Sequence, residues 1–208
     1  METLRERKKQ RTRDALLRSA LELFVAQGYE RTTVDEIAES VDVSQRTFFR
    51  YFAGKEEAAF FLPRLTEAYY VEALRRRPPE EAPLEALRAA VLDSFDSIEQ
   101  AIERYVPLEL HMRAYKVIEA TPVLHAAHLG RQSETEEEIA RIVAEREGVD
   151  PDTDPRPRLL VALFGAVIRV TERHWSVGDD FGVAAIRDLT VAYLDQVGPA
   201  LLGDWRES

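Results

Sequence analysis

The chain has 208 residues, no cysteine, 45% hydrophobic and 32% charged residues, and a formal net charge of −10. That size and hydrophobic content predict a soluble globular protein of one large or two small domains and exclude a disordered one. The missing cysteines exclude disulfide staples, thiolate metal sites and thiol nucleophiles, and leave a cytoplasmic setting open, which is where we place the protein.

The charge is unevenly spread. Residues 1–55 hold 11 Lys/Arg against 9 Asp/Glu, a local +2, whereas the rest holds 17 against 29, a local −12. A polyanionic partner would therefore meet the N-terminal end. Residues 1–13 are too polar and charged for a signal peptide. Within them Arg5, Arg7, Lys8, Lys9, Arg11 and Arg13 form a basic run that suits phosphate neutralisation, the alternative being a solvated flexible arm.

Leu16, Ala20, Leu23 and Phe24 recur at helical spacing and predict a first helix over 4–27, stopped by Gly28, with Tyr29 folding back on the core. Thr33 and Glu36 then have the spacing of a capping box, and Val34, Ile37 and Ala38 supply a buried face. Val41-Asp42-Val43 reads as a tight turn pinned to the core by Val43, and Ser44 as the N-cap of the next helix. That helix carries Gln45, Arg46, Thr47, Phe49, Arg50 and Tyr51, with Phe48 and Phe52 on its inward face. The pattern is a helix-turn-helix, built to place its second helix in the major groove of DNA. Gln45 and Arg46 suit bidentate bonds to adenine and guanine, and Thr47 and Arg50 suit base or phosphate.

The run Gly28-Tyr29-Glu30-Arg31-Thr32-Thr33-Val34-Asp35-Glu36-Ile37-Ala38, then Val43-Ser44 and Thr47-Phe48-Phe49-Arg50-Tyr51-Phe52-Ala53-Gly54-Lys55-Glu56, resembles the signature of the tetracycline-repressor (TetR/AcrR) family. The resemblance covers the first quarter of the chain. It implies that Thr33, Tyr51 and Lys55 hold the DNA backbone. Phe48-Phe49 stands where many members have Leu-Tyr, which keeps an apolar anchor but removes a hydroxyl that could reach a phosphate. The DNA contacts are thus expected from Thr33, Ser44, Gln45, Arg46, Thr47, Phe49, Arg50, Tyr51 and Lys55.

Downstream, a fourth helix is expected from about 54 to 74 with a bend at Pro63. A proline-rich loop at 77–83 follows, then helices over 84–105, 107–119 and 122–147, a second loop at 148–157, and helices over 158–177 and 182–202. No strand-like alternation of any length appears, so the fold class is all-α. The division is a three-helix DNA-binding domain over 1–53 and an effector-binding and dimerisation domain over 54–208. The longest apolar stretch, 159–168, is far too short to span a membrane. The last two helices are the expected homodimer interface, through Leu160, Phe164, Val167, Ile168 and Thr171 on one and Leu189, Ala192, Tyr193, Gln196 and Val197 on the other. Gly165 and Ala166 would allow close approach there; a monomer core is the alternative. The resemblance adds that family members pair as two-fold dimers through a four-helix bundle of these helices.

Enzymatic signatures are missing: there is no glycine-rich phosphate loop, no G-x-S-x-G and no H-E-x-x-H. The acidic cluster 134–138 reads as a solvated helix face. His125 and His128 are three apart, with His111 and Glu119 nearby in sequence, but spacing fixes no third ligand, so no metal or other cofactor is expected. Tyr69, Phe95, Ile98, Met112, Tyr115, Phe164 and Ile168 offer apolar and aromatic walls, with His111 and Arg113 as polar anchors. Core packing alone would use the same residues. The resemblance, in whose family this region binds an inducer, turns them into an expected small-molecule pocket for a largely hydrophobic effector. The expected function is a dimeric, ligand-responsive repressor on a pseudo-palindromic double-stranded operator. An activator of the same family, or a helical ligand-binding or adaptor protein without DNA readout, is the alternative.

Overall fold

Thr3 opens the first helix. Its hydroxyl accepts from the Glu6 amide, and the Glu6 carboxylate accepts from the Thr3 amide at 2.7 Å, a capping box. Helix α1, Leu4–Gln27, therefore contains the basic run, and residues 5–13 are helical instead of a flexible arm. Gly28 ends it at φ 88°, a backbone conformation costly for any residue with a side chain, and its amide donates to the Phe24 carbonyl. Tyr29 folds back, its ring edge-on to Phe24 at 5.2 Å. The computed structural model describes residues 3–178 and 182–202, with side chains through Val197. The first two and last six residues of the two expected domains lie outside the described residues.

The elements that follow are α2 (Val34–Glu39), α3 (Gln45–Phe48), α4 (Lys55–Ala59), α5 (Phe61–Arg75), α6 (Pro83–Glu103), α7 (Leu108–Ala120), α8 (Pro122–Glu147), α9 (Arg156–Val177) and α10 (Val183–Leu202). No strand occurs among the described residues, and the fold is all-α with an N-terminal helix-turn-helix. The expected fourth helix is two helices. Its break lies at Phe60, one turn before the bend predicted at Pro63. Proline has no N–H to donate to the carbonyl four residues back, here Ala59, and its ring crowds that carbonyl. The first helix accordingly ends at Ala59, and Pro63 sits in the first turn of α5, where a missing N–H costs nothing.

Contacts divide the chain into two compact units: residues up to Thr66 with Ile98–Ala126, and Glu67–Ser97 with residues from Ala127 onward. In the first, α1 packs against α2, α4 and α7. Leu16, Leu17, Ala20 and Phe24 of α1 are buried, as are Ile37, Phe48, Phe52 and Phe60. An aromatic line runs from Phe48 to Phe52 at 5.6 Å, on to Phe61 at 6.4 Å and to Tyr105 at 5.0 Å. The Arg13 guanidinium lies over the Phe61 ring at 4.4 Å, so this member of the basic run is held by the fold.

The second unit buries Leu74, Leu87, Ile139, Val143, Val161, Phe164 and Leu194 in one cluster, with Phe95, Leu160, Val167 and Ile168 packed on it. Two sequence expectations change here. The acidic cluster keeps Glu134 and Glu138 in solvent, as expected, but it also bridges helices: Glu136 pairs with Arg169, Glu137 with Arg158 at 2.8 Å and Glu138 with Arg75 at 3.0 Å, tying α8 to α9 and α5. The α9 stripe expected at a dimer interface also faces inward, since Phe164 and Thr171 are buried and Leu160, Val167 and Ile168 pack on the cluster. Gly165 faces α8, where a Cβ would overlap the Glu136 carboxylate. The apolar side chains that α9 leaves in solvent are Leu159, Leu163, Val170 and Val177, with Ala162 and Ala166 between them.

Candidate nucleic-acid interface

The helix-turn-helix is assembled from local bonds. Thr33 caps α2: its hydroxyl accepts from the Glu36 amide at 3.2 Å, and the Glu36 carboxylate accepts from the Thr33 amide at 2.8 Å. Those bonds to Thr33 hold the Glu36 carboxyl below its usual range. In the turn, Asp42 takes φ 54°, and the Val43 amide donates to the Ala38 carbonyl at 3.0 Å. Ser44 then caps α3, accepting from the Thr47 amide at 3.2 Å. The regular helix is only four residues long, but the path continues: the Phe49 amide donates to the Gln45 carbonyl, and that of Phe52 to Phe48.

This scaffold sorts the nine expected DNA contacts into two groups. Phe48 and Phe52 are fully buried and anchor the helix, while Gln45, Arg46 and Phe49 project into solvent. Among the described residues neither Gln45 nor Arg46 bonds another side chain. The others are engaged within the fold. Thr33 and Ser44 cap helices, and the Thr47 hydroxyl lies 3.0 Å from that of Ser44. Arg50 donates to the Tyr51 hydroxyl at 3.1 Å with its guanidinium over the Tyr51 ring, making one exposed polar unit. Lys55 differs most from expectation. Its ammonium donates to the carbonyls of Tyr29 at 2.7 Å, Thr32 at 2.9 Å and Glu30 at 3.4 Å. Three carbonyl oxygens thus compete with any phosphate for its three N–H groups. No sequence signal marked this clamp, because its partners are main-chain atoms more than twenty residues away.

The eight expected effector residues divide evenly between the two units. In the first, Ile98, His111, Met112 and Tyr115 are buried, and burial drives the His111 imidazole down to about 4. In the second, Phe164 stacks with Tyr70 at 6.3 Å, and Phe95 and Ile168 lie against the same core cluster. Tyr69 lines a cavity of about 310 Å³ with Ala73, Arg76, Arg77, Asp93, Ser94 and Ser97. Arg77 there is fixed by Glu81 and by Asp93 at 2.8 Å. These polar wall residues look like ordinary loop and surface positions in the sequence. Arg113, the other expected anchor, is exposed. His125 faces Glu119 at 3.5 Å, the His128 ring lies 3.1 Å from Gln132, and no group of three metal-ligating side chains converges among the described residues. Nor is any helix among them long and apolar enough to cross a membrane.

Comparisons with known proteins match both parts of the chain. Residues 16–58 fit the model of bacterial regulatory proteins, tetR family, and residues 81–200 fit the MftR C-terminal domain. The HTH-type transcriptional regulator TcmR of Streptomyces glaucescens is 46% identical over 203 residues, 98% of this chain and 90% of that protein. The transcriptional regulator MftR of Mycobacterium tuberculosis is 30% identical over 186 residues, 87% of this chain and 83% of the relative. The crystal structure of a transcriptional regulator from Aquifex aeolicus VF5 has the same fold, with a TM-score of 0.57 at 14% identity over 89% of this chain and 99% of the other.

Proposed function

The chain belongs to the tetR family of bacterial regulatory proteins, which are DNA-binding transcriptional regulators, and from that premise we propose a repressor that grips a pseudo-palindromic operator as a homodimer. Residues 1–53 read the DNA; residues 54–208 pair the subunits and take up a small, largely hydrophobic effector that releases the operator. The observation that carries the reading is the pairing of exposed Gln45 and Arg46 with the buried Phe48–Phe52 anchor. Side chains suited to adenine and guanine edges stand on a helix that cannot roll, because its inward rings are locked in the core.

Dimerisation is supported by the outward apolar face of α9. Leu159, Leu163 and Val170 are 61%, 51% and 58% exposed at helical spacing, more than a solvated helix needs. Two copies joined there would present two recognition helices to major grooves about 34–36 Å apart. Effector binding is supported by the cavity beside Tyr69, whose walls are mostly polar and which shares Ala73 with the packed apolar cluster of Phe95, Phe164 and Ile168. Effector and operator would each favour a different spacing of the recognition helices, so each weakens the other by the same factor.

The test is selection of the purified protein against random duplex DNA, followed by sequencing of the bound pool. Enrichment of one inverted repeat, with steep salt dependence, is the expected result. No enrichment at low salt would overturn DNA readout and favour an adaptor.

A further inference from the structure

Among the described residues Phe49 is the one aromatic ring in the set of strongly exposed large hydrophobic residues, and it stands on the recognition helix. Its ring is half exposed yet held, packed edge-on against the fully buried Phe48 at 5.6 Å with an interplanar angle of 87°. Its amide donates to the Gln45 carbonyl at 3.0 Å, so Gln45 and Phe49 share one face of the helix, one turn apart. A rise of roughly 6 Å separates them along the axis, the span of about two base-pair steps. A phenyl ring has no atom with which to hold a phosphate. On the major-groove floor the apolar group available to it is the C5-methyl of thymine.

We propose that Phe49 is a specificity-determining residue that reads a thymine methyl within about two base pairs of the one read by Gln45. The proposal rests on the operator-binding reading and names what that reading leaves open, the one apolar contact in the base code. The neighbouring chemistry agrees: Gln45 suits adenine, whose partner thymine carries its methyl into the same groove. Phe48 fixes the ring before DNA arrives, so little side-chain freedom is lost on binding.

The experiment uses the full chain and the duplex recovered by selection, with each thymine of a half-site replaced singly by deoxyuridine. That change removes the methyl and leaves every hydrogen-bonding atom. One position, changed in both half-sites, should weaken the wild type by about fourfold for each methyl, the factor expected for one buried carbon. Phe49→Ala should bind the thymine operator more weakly and lose all sensitivity at that position. Phe49→Leu, which keeps an apolar group there, should retain part of it. The proposal is overturned if no thymine is sensitive, or if Phe49→Ala keeps the wild-type sensitivity, which would place the ring on the sugar backbone or off the DNA. Failure of the operator reading itself would appear earlier, as a selection without enrichment, before any uracil is introduced.

Discussion

The Lys55 ammonium stands 2.7 Å from the Tyr29 carbonyl oxygen and 4.2 Å from the centre of the Tyr29 ring. The first residue of α4 is thereby tied to the turn that ends α1, and the Thr32 carbonyl at 2.9 Å strengthens the tie. A charged donor in a partly buried bond contributes about 1.5–3 kcal/mol. Lys55→Ala should therefore lower stability by roughly 2 kcal/mol, read as a fall in the thermal midpoint. It should weaken binding to all sequences alike and leave the salt slope unchanged, because the N–H groups serve the fold. A slope flatter by about one per subunit would instead assign Lys55 to a phosphate.

Asp42 takes φ 54° in the turn between α2 and α3, a conformation that short polar residues tolerate and β-branched ones resist. Asp42→Val should destabilise the protein by about 1–2 kcal/mol, while Asp42→Gly should be neutral or stabilising. Chemical denaturation of the three proteins decides it. Equal midpoints for Val and Gly would mean that the turn relaxes around the side chain.

Gln45 carries the prediction that separates reading from gripping. Gln45→Ala should relax preference at a single base pair, losing about 1–3 kcal/mol of discrimination there. Stability should stay within about 0.5 kcal/mol, since the side chain is exposed. Repeating the sequence selection with the variant measures this directly, and an unchanged consensus would remove Gln45 from the base contacts.

The helix-turn-helix was legible because each boundary is encoded locally. A threonine three residues before a glutamate caps α2, a serine caps α3, and a glycine at φ 88° stops α1. None of these needs knowledge of a distant partner. The inward face of α9 was not legible. Leu160 and Phe164 pack on the core while Leu159 and Leu163, one residue earlier, face solvent. Neighbouring residues on a helix are only about 100° apart, and when both carry leucine or phenylalanine the apolar period cannot say which side meets the same chain. The partners of Lys55 and of the acidic run of α8 were hidden for a related reason. A sequence shows a charge but not the carbonyl or guanidinium that will satisfy it.

His111 sets a pH dependence whose sign is fixed by its burial. Its imidazole stays neutral in the folded protein until about 4, against an ordinary value of 6.5. The unfolded chain takes up a proton that the folded one refuses, so stability present above 6.5 is lost as pH falls from 6.5 towards 4. The slope is at most about 1.4 kcal/mol per pH unit. Thermal midpoints between pH 7.5 and 4.5 should fall more steeply for the wild type than for His111→Leu. Parallel curves would show that the folded protein accepts the proton.

The outward face of α9, the proposed pairing surface, allows the pairing proposal to be tested apart from folding. Leu163 is 51% exposed, so Leu163→Glu should leave the subunit fold nearly intact while placing a carboxylate in the centre of the proposed pairing surface. Sedimentation should show a monomer, and operator affinity should collapse, since one subunit can hold only one half-site. Phe164, the next residue, is buried. Phe164→Ala should cost about 3–5 kcal/mol of stability through the cavity it leaves, with the pairing surface untouched in whatever protein remains folded. If Leu163→Glu stays dimeric, the subunits pair elsewhere, and the apolar stripe on α9 needs another partner.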